Sequence, residues 1–124
     1  MKFTNQHYIG IVISILLFVL LMKKTTSNNK SISVGNGKKQ LVLFYENWCG
    51  HSVRMLPEWE KLENENTNGV EIKKVVCSTD RALCQKEKIK GFPTVKYYNG
   101  NGGVFEYNGD RTKDGFMSFL SENN

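Results

Sequence analysis

Residues 44–62, FYENWCGHSVRMLPEWEKL, hold the chain's most reactive combination of side chains: Cys49, preceded by Trp48 and followed by Gly50 and His51. A cysteine placed where a strand gives way to a helix faces unpaired N–H groups and the positive end of the helix dipole. Both favour the thiolate, and a protonated imidazole at His51 would add to them. Such a terminus is worth up to about 2 kcal/mol in good geometry, or about 1.5 pKa units. Lowering a thiol by about two units from about 8.5 raises its ionised fraction at pH 7 from about 3% to about three-quarters. Intrinsic nucleophilicity falls about tenfold over the same shift, so attack gains only a few-fold, while expulsion from a mixed disulfide gains more. The chemistry expected of this site is thiol–disulfide exchange, with Cys49 and His51 as its catalytic residues.

Reactive Cys-X-X-Cys sites carry a second thiol at the fourth position. Here that position is Ser52. A hydroxyl cannot attack a mixed disulfide, so the site can neither hold a disulfide of its own nor pass one on. A one-thiol cycle remains: attack a substrate disulfide, retain the substrate covalently, and release it when an external thiol such as glutathione attacks. No other cofactor is implied. A metal centre is not expected, because the three cysteines and two histidines include no second pair at ligand spacing.

The elements that must position Cys49 can be read from patterning. LVLFY (41–45) is a continuous apolar run, as in a strand buried on both faces. Met55, Trp59 and Leu62 recur at helical spacing, with Val53 and Leu56 widening the stripe and Pro57 inside it. VEIKKVV (70–76) reads as a strand. Ser78 or Thr79 can cap a short helix reaching about Lys88, with Asp80 in its first turn. TVKYY (94–98) and VFEYN (104–108) flank NGNGG as a hairpin. Thr112 caps a last helix whose Phe116, Phe119 and Leu120 form an apolar face. The order β-α-β-α-β-β-α describes an α/β sheet covered on both sides, without internal repeats.

Upstream the chain changes character. Residues 8–22, YIGIVISILLFVLLM, are uncharged and bounded by Lys23 and Lys24. As a helix they cover about 22 Å, short of a hydrocarbon core of about 30 Å. Residues 1–24 are read as a membrane anchor, since no small-x-small cleavage site follows; a cleaved signal segment is the alternative. A polar linker spans 25–40, with a short strand expected at 31–34, and the globular domain occupies 41–124. The net charge of +5 is mostly the leader's: Lys2, Lys23, Lys24 and Lys30 supply four charges, and residues 31–124 hold 13 Lys and Arg against 12 Asp and Glu. That near-neutral balance argues against a nucleic-acid surface. The flanking lysines weakly favour the domain on the cytosolic side. Cysteine usage, and the sequon at Asn29-Lys30-Ser31, favour an oxidising lumen, which is the localisation expected here.

Residues 41–121 resemble a thioredoxin-fold domain of the protein disulfide isomerase type. The resemblance rests on four stretches in order: LVLFY; Trp48-Cys49-Gly50-His51 with its proline-containing helix; IKGFPT (89–94); and YNGDRTKDGFMSFL (107–120). It implies a thioredoxin-like α/β fold with a central mixed sheet. Too few residues precede LVLFY for the usual first strand and helix, so that unit is expected to be shortened or missing. Cysteine-containing proteins or peptides are the implied substrates.

The family motif is Cys-Gly-His-Cys, from which this chain departs at Ser52. The family's buried acid, six positions before the first cysteine, is Leu43 here. That acid serves the second thiol, and burying a carboxylate without such a task is costly. Pro93 matches the family's cis-proline facing the active cysteine, and Arg111 matches an arginine that tunes the second cysteine; a surface salt bridge is an equal alternative for Arg111. Trp48, Gly50, Ser52, Pro93 and Arg111 are thus expected to shape the site. The resemblance also implies a structural disulfide between Cys77 and Cys84, with two reduced buried thiols as the alternative. Two other functional readings stand beside exchange. One is a redox-inactive peptide- or partner-binding module. The other is a weaker likeness to the Cys-Gly-Phe-Ser site of monothiol glutaredoxins, which bind an iron–sulfur cluster with glutathione.

Overall fold

Lys39–Tyr45 forms the strand on which the domain is assembled (β1), and every residue from Gln40 to Tyr45 is buried. The computed structural model describes residues 5–22, 32–65 and 67–124. The chain divides into two units, 1–31 and 32–124. In the first, helix α1 (Asn5–Met22) leaves its large apolar side chains from Tyr8 to Leu21 exposed on every side. The membrane anchor expected there is not supported: among the described residues no helix is long and apolar enough to cross a membrane. The apolar run at 8–22 covers about 22 Å at 1.5 Å per residue, short of a hydrocarbon core of about 30 Å. Residues 25–31 of the expected linker, with the sequon at 29–31, lie outside the described residues.

In the second unit β1 is followed by α2 (Gly50–Glu63), β2 (Glu71–Val76), α3 (Arg81–Lys86), β3 (Thr94–Asn99), β4 (Val104–Tyr107) and α4 (Lys113–Asn123). The sheet order is β2-β1-β3-β4. β1 runs parallel to β2, pairing Leu41 with Ile72, and antiparallel to β3, pairing Leu41 with Tyr97. β3 and β4 close an antiparallel hairpin. The fold is a thioredoxin-like mixed sheet between helices, and among residues 32–38 no strand or helix precedes β1. The strand expected at 31–34 does not form over its described residues. Gly35 and Gly37, at φ 70° and 71°, turn the chain before any ladder begins. Ile32 and Val34 nevertheless pack against the core.

Alternation along β1 feeds two apolar clusters. Leu41, Leu43 and Tyr45 pack with Met55, Trp59 and Leu62 of α2 and with Phe116 and Leu120 of α4. Val42 and Phe44 point the other way, towards Val75, Cys77, Cys84 and Tyr98. Val53 corrects the expected helix stripe: it is 46% exposed, whereas Ser52 is fully buried. The buried arc of α2 is 52, 55, 59 and 62, and residue 53 lies about 100° round from residue 52. Pro57 sits inside α2 without ending it.

α4 begins as expected, with Thr112 Oγ1 accepting from Gly115 N at 3.1 Å. Its N-terminus is also held from α2, where Glu58 Oε2 accepts from Lys113 N at 2.9 Å. This contact, ahead of the Lys61 ammonium, keeps the Glu58 carboxyl below its ordinary pKa.

Neither Ser78 nor Thr79 caps α3. The N-cap is Asp80, without a side-chain capping bond, and the helix stops at Lys86, not Lys88. A tight turn is responsible, since Thr79 N and Asp80 N both donate to Val76 O and so spend residues 77–79 on the reversal. Across it Cys77 and Cys84 are joined in a disulfide, with Cα atoms 5.7 Å apart and both residues buried. Closing a loop of that size stabilises the fold by about 2.5 kcal/mol in the chain-entropy account. Replacing both cysteines by alanine is therefore expected to lower the stability read by urea unfolding by about 2–3 kcal/mol. An unchanged midpoint would show that the bridge adds nothing.

Candidate functional site

Cys49 is the N-cap of α2, in extended backbone at φ −85° and ψ 117°. The helix can start there because Cys49 N donates to Glu46 O at 3.3 Å, closing a turn off β1, while Cys49 O accepts from Val53 N at 3.0 Å. The side chain is half-buried and is the free thiol of the three cysteines. Its sulfur lies 3.6 Å from Phe92 O, to which the S–H donates. Phe92-Pro93 is a cis peptide bond, which turns this carbonyl towards the helix start. Trp48 is 75% exposed and sets its ring edge-on to Phe92 at 6.0 Å. The structure thus brings Trp48, Cys49, Gly50, His51, Ser52 and the Phe92-Pro93 turn to one corner. Cys77 and Cys84 form the separate bridge described above.

The Cys49 thiol is held below its ordinary pKa. The largest cause is the Ser52 backbone N–H; the Ser52 hydroxyl, the His51 backbone N–H and the Arg111 guanidinium act in the same direction. Partial desolvation opposes them. No capping hydrogen bond closes on the sulfur in the thiol form, so these donors act on the charge that appears once the proton leaves. His51 contributes here through its backbone N–H. Ser52 also places its hydroxyl 3.5 Å from Glu46 N, tying the helix start to the end of β1.

A test separates these causes. Ser52→Ala removes the hydroxyl and keeps the larger backbone effect. It is expected to move the Cys49 alkylation midpoint upward by less than about one pH unit. A shift beyond one unit would give the hydroxyl, not the helix N–H, the leading part.

Arg111 is exposed, and no ion pair among the described residues engages it; those present all use lysines. The surface salt bridge offered as its alternative role is absent among the described residues, while its charge reaches Cys49. Leu43 is fully buried in the apolar cluster of α2 and α4, so the position is hydrophobic throughout. The described residues contain no group of side chains suited to a metal ion.

Two residues of this corner escaped the sequence reading. Phe92 contributes a carbonyl and a ring edge, and only the cis turn shows either. Arg54 lines a pocket with His51, Met55 and Arg111. Its place one helical turn beyond Gly50 and His51 was the available signal.

This fold, with a free cysteine at the first turn of α2 and a cis-proline turn opposite, defines the thioredoxin class. The thioredoxin family profile matches residues 20–122, and the chain belongs to that family. Its relatives there are protein disulfide isomerases. It is 34% identical over 99 residues to the probable protein disulfide-isomerase A6 of Medicago sativa, covering 77% of this chain and 27% of that one. It is 35% identical over 101 residues to the protein disulfide-isomerase of Drosophila melanogaster, covering 79% and 20%. Among solved structures, human ERp44 superposes with a TM-score of 0.65 at 27% identity, over 78% of this chain and 30% of that one. The J-Trx1 fragment of ERdj5 gives 0.64 at 28%, over 69% and 43%. The chain thus spans about a quarter or less of the length of these curated relatives.

Proposed function

We propose that this protein forms mixed disulfides with cysteine-containing proteins through Cys49 in a one-thiol exchange cycle. The Cys49 thiolate attacks a substrate disulfide; one sulfur–sulfur bond forms as another breaks, and the displaced thiolate leaves with the electron pair. An external thiol, glutathione or another, then attacks the mixed disulfide and expels Cys49. No net oxidation occurs, and no second thiol of this site is needed. The carrying observation is the free Cys49 at the start of α2, its pKa lowered by the N–H groups of Ser52 and His51. Trp48, Gly50, His51, Ser52, Pro93 and Arg111 shape the site, and isomerisation or covalent retention of substrates are its outcomes. The leader 1–24 is proposed as a membrane-directing segment, retained as an anchor or removed as a signal, that delivers the domain to an oxidising lumen.

The test is the alkylation rate of Cys49 in the full chain against pH. With Cys77 and Cys84 bridged, Cys49 is the group that labels. Because its pKa is depressed, the rate should rise with pH and level off below about 8.5, the value of an ordinary thiol. Slow labelling with a midpoint at or above about 8.5 overturns the exchange reading and leaves a redox-inactive peptide-binding module.

A further inference from the structure

Beside Cys49 lies a pocket of about 260 Å³ lined by His51, Arg54, Met55 and Arg111. Met55 is 2% exposed and belongs to the apolar core, so the pocket has an apolar floor under three basic groups. Arg54 is steadied by its Nε donating to Gly50 O at 3.3 Å. Among the described residues neither guanidinium is engaged by a carboxylate, while five lysine–carboxylate contacts are formed elsewhere. This is not general basicity, because residues 31–124 are nearly neutral. Two forked donors left open over an apolar floor match the shape and charge of a carboxylate. The pocket starts at His51, two residues on from Cys49, and its Arg54 reaches back to the carbonyl of Gly50, the residue next to Cys49.

We infer that this pocket is a subsite for a carboxylate carried beside the sulfur that exchanges with Cys49, so that the protein selects anionic disulfides. The inference rests on the exchange reading above and gives it a substrate class. An acidic side chain flanking a cysteine in a protein substrate, or a carboxylate of glutathione disulfide, supplies the same chemistry. Arg54 and Arg111 are specificity-determining on this account: they hold the substrate and take no part in the sulfur exchange.

The test compares second-order rates of the full chain with 5,5′-dithiobis(2-nitrobenzoate), which is anionic, and 2,2′-dithiodipyridine, which is neutral. Each rate is divided by that of mercaptoethanol with the same reagent. At low salt the normalised anionic-to-neutral ratio is expected to exceed about five. It should fall towards one in about 1 M salt, where the Debye length is about 3 Å. Arg54→Gln and Arg111→Gln should each lower it by about five-fold, the upper range for one exposed ion pair. Working with a ratio cancels any change in the Cys49 thiolate fraction.

A ratio near one, or one that Arg54→Gln leaves unmoved, overturns the inference while rapid neutral exchange upholds the exchange reading. Failure to react even with the neutral reagent overturns both. The source is then separated with glutathione disulfide and a peptide disulfide flanked by glutamates. The arm that loses more rate on Arg54→Gln identifies the natural carboxylate, and no loss in either arm rejects the subsite.

Discussion

Replacing Ser52 by cysteine is expected to shorten the life of a mixed disulfide at Cys49 by about 100-fold or more. In the protein as it stands, release waits on an external thiol. The Ser52 side chain is fully buried in the first turn of α2, and its hydroxyl helps to lower the Cys49 pKa. A thiol there would face the mixed disulfide from within the same helical turn. Well-oriented intramolecular groups reach effective concentrations of at least about 10⁵ M, and even a poorly aligned one exceeds the millimolar range of a cellular thiol. The measurement is decay of a labelled peptide trapped on Cys49, followed by mass with and without added glutathione. In Ser52→Cys the decay should become independent of glutathione and leave a bridge between residues 49 and 52. Equal lifetimes in the two proteins would sink the one-thiol account, because Ser52 would not then be what prevents self-release.

The second large effect is on the scaffold. Trp59→Ala is expected to cost about 3–5 kcal/mol, the range for deleting a buried aromatic side chain. A domain of this size has only about 5–13 kcal/mol in total, so the variant should lose a large share of its stability and unfold at much lower urea. Trp59 is fully buried between β1 and α4 and meets Phe116 edge-on at 5.2 Å. Its Nε1 is the one buried side-chain polar atom without a partner among the described residues. The indole therefore stabilises through volume and ring contact, not through a hydrogen bond. Trp59→Phe separates the two, since it leaves a smaller void and removes the orphaned donor. It should cost less than half as much as Trp59→Ala in urea unfolding. Equal losses from the two variants would mean that the N–H matters more than the packing.

Whatever depends on local period or on one residue's chemistry was legible in the chain. The apolar run at 41–45 became a strand buried on both faces, and the NGNGG hairpin and the Thr112 cap stand where their residues ask for them. A cysteine at the start of a helix was evident from its place before an amphipathic run, and Cys49 is the N-cap of α2 and a free thiol. Reading the α2 stripe by hydrophobicity, however, enrolled Val53 and passed over Ser52. Ser52 is fully buried there, where its hydroxyl accepts from Glu46 N, at the end of β1, at 3.5 Å. That donor is invisible in a helical wheel.

Sequence by itself determined the single thiol, the serine at the fourth position and the alternating elements, because each is a matter of residue type or short-range spacing. Tertiary structure decided what surrounds the sulfur. The Phe92 carbonyl comes from 43 positions away. The basic pocket joins Arg54 on α2 to Arg111 in the turn before α4. Side chains so far apart meet only when burial of β1 on both faces fixes the strand order β2-β1-β3-β4 and sets the ends of separate elements at one corner. Periodicity says which face of an element is buried, and packing alone chooses its neighbours.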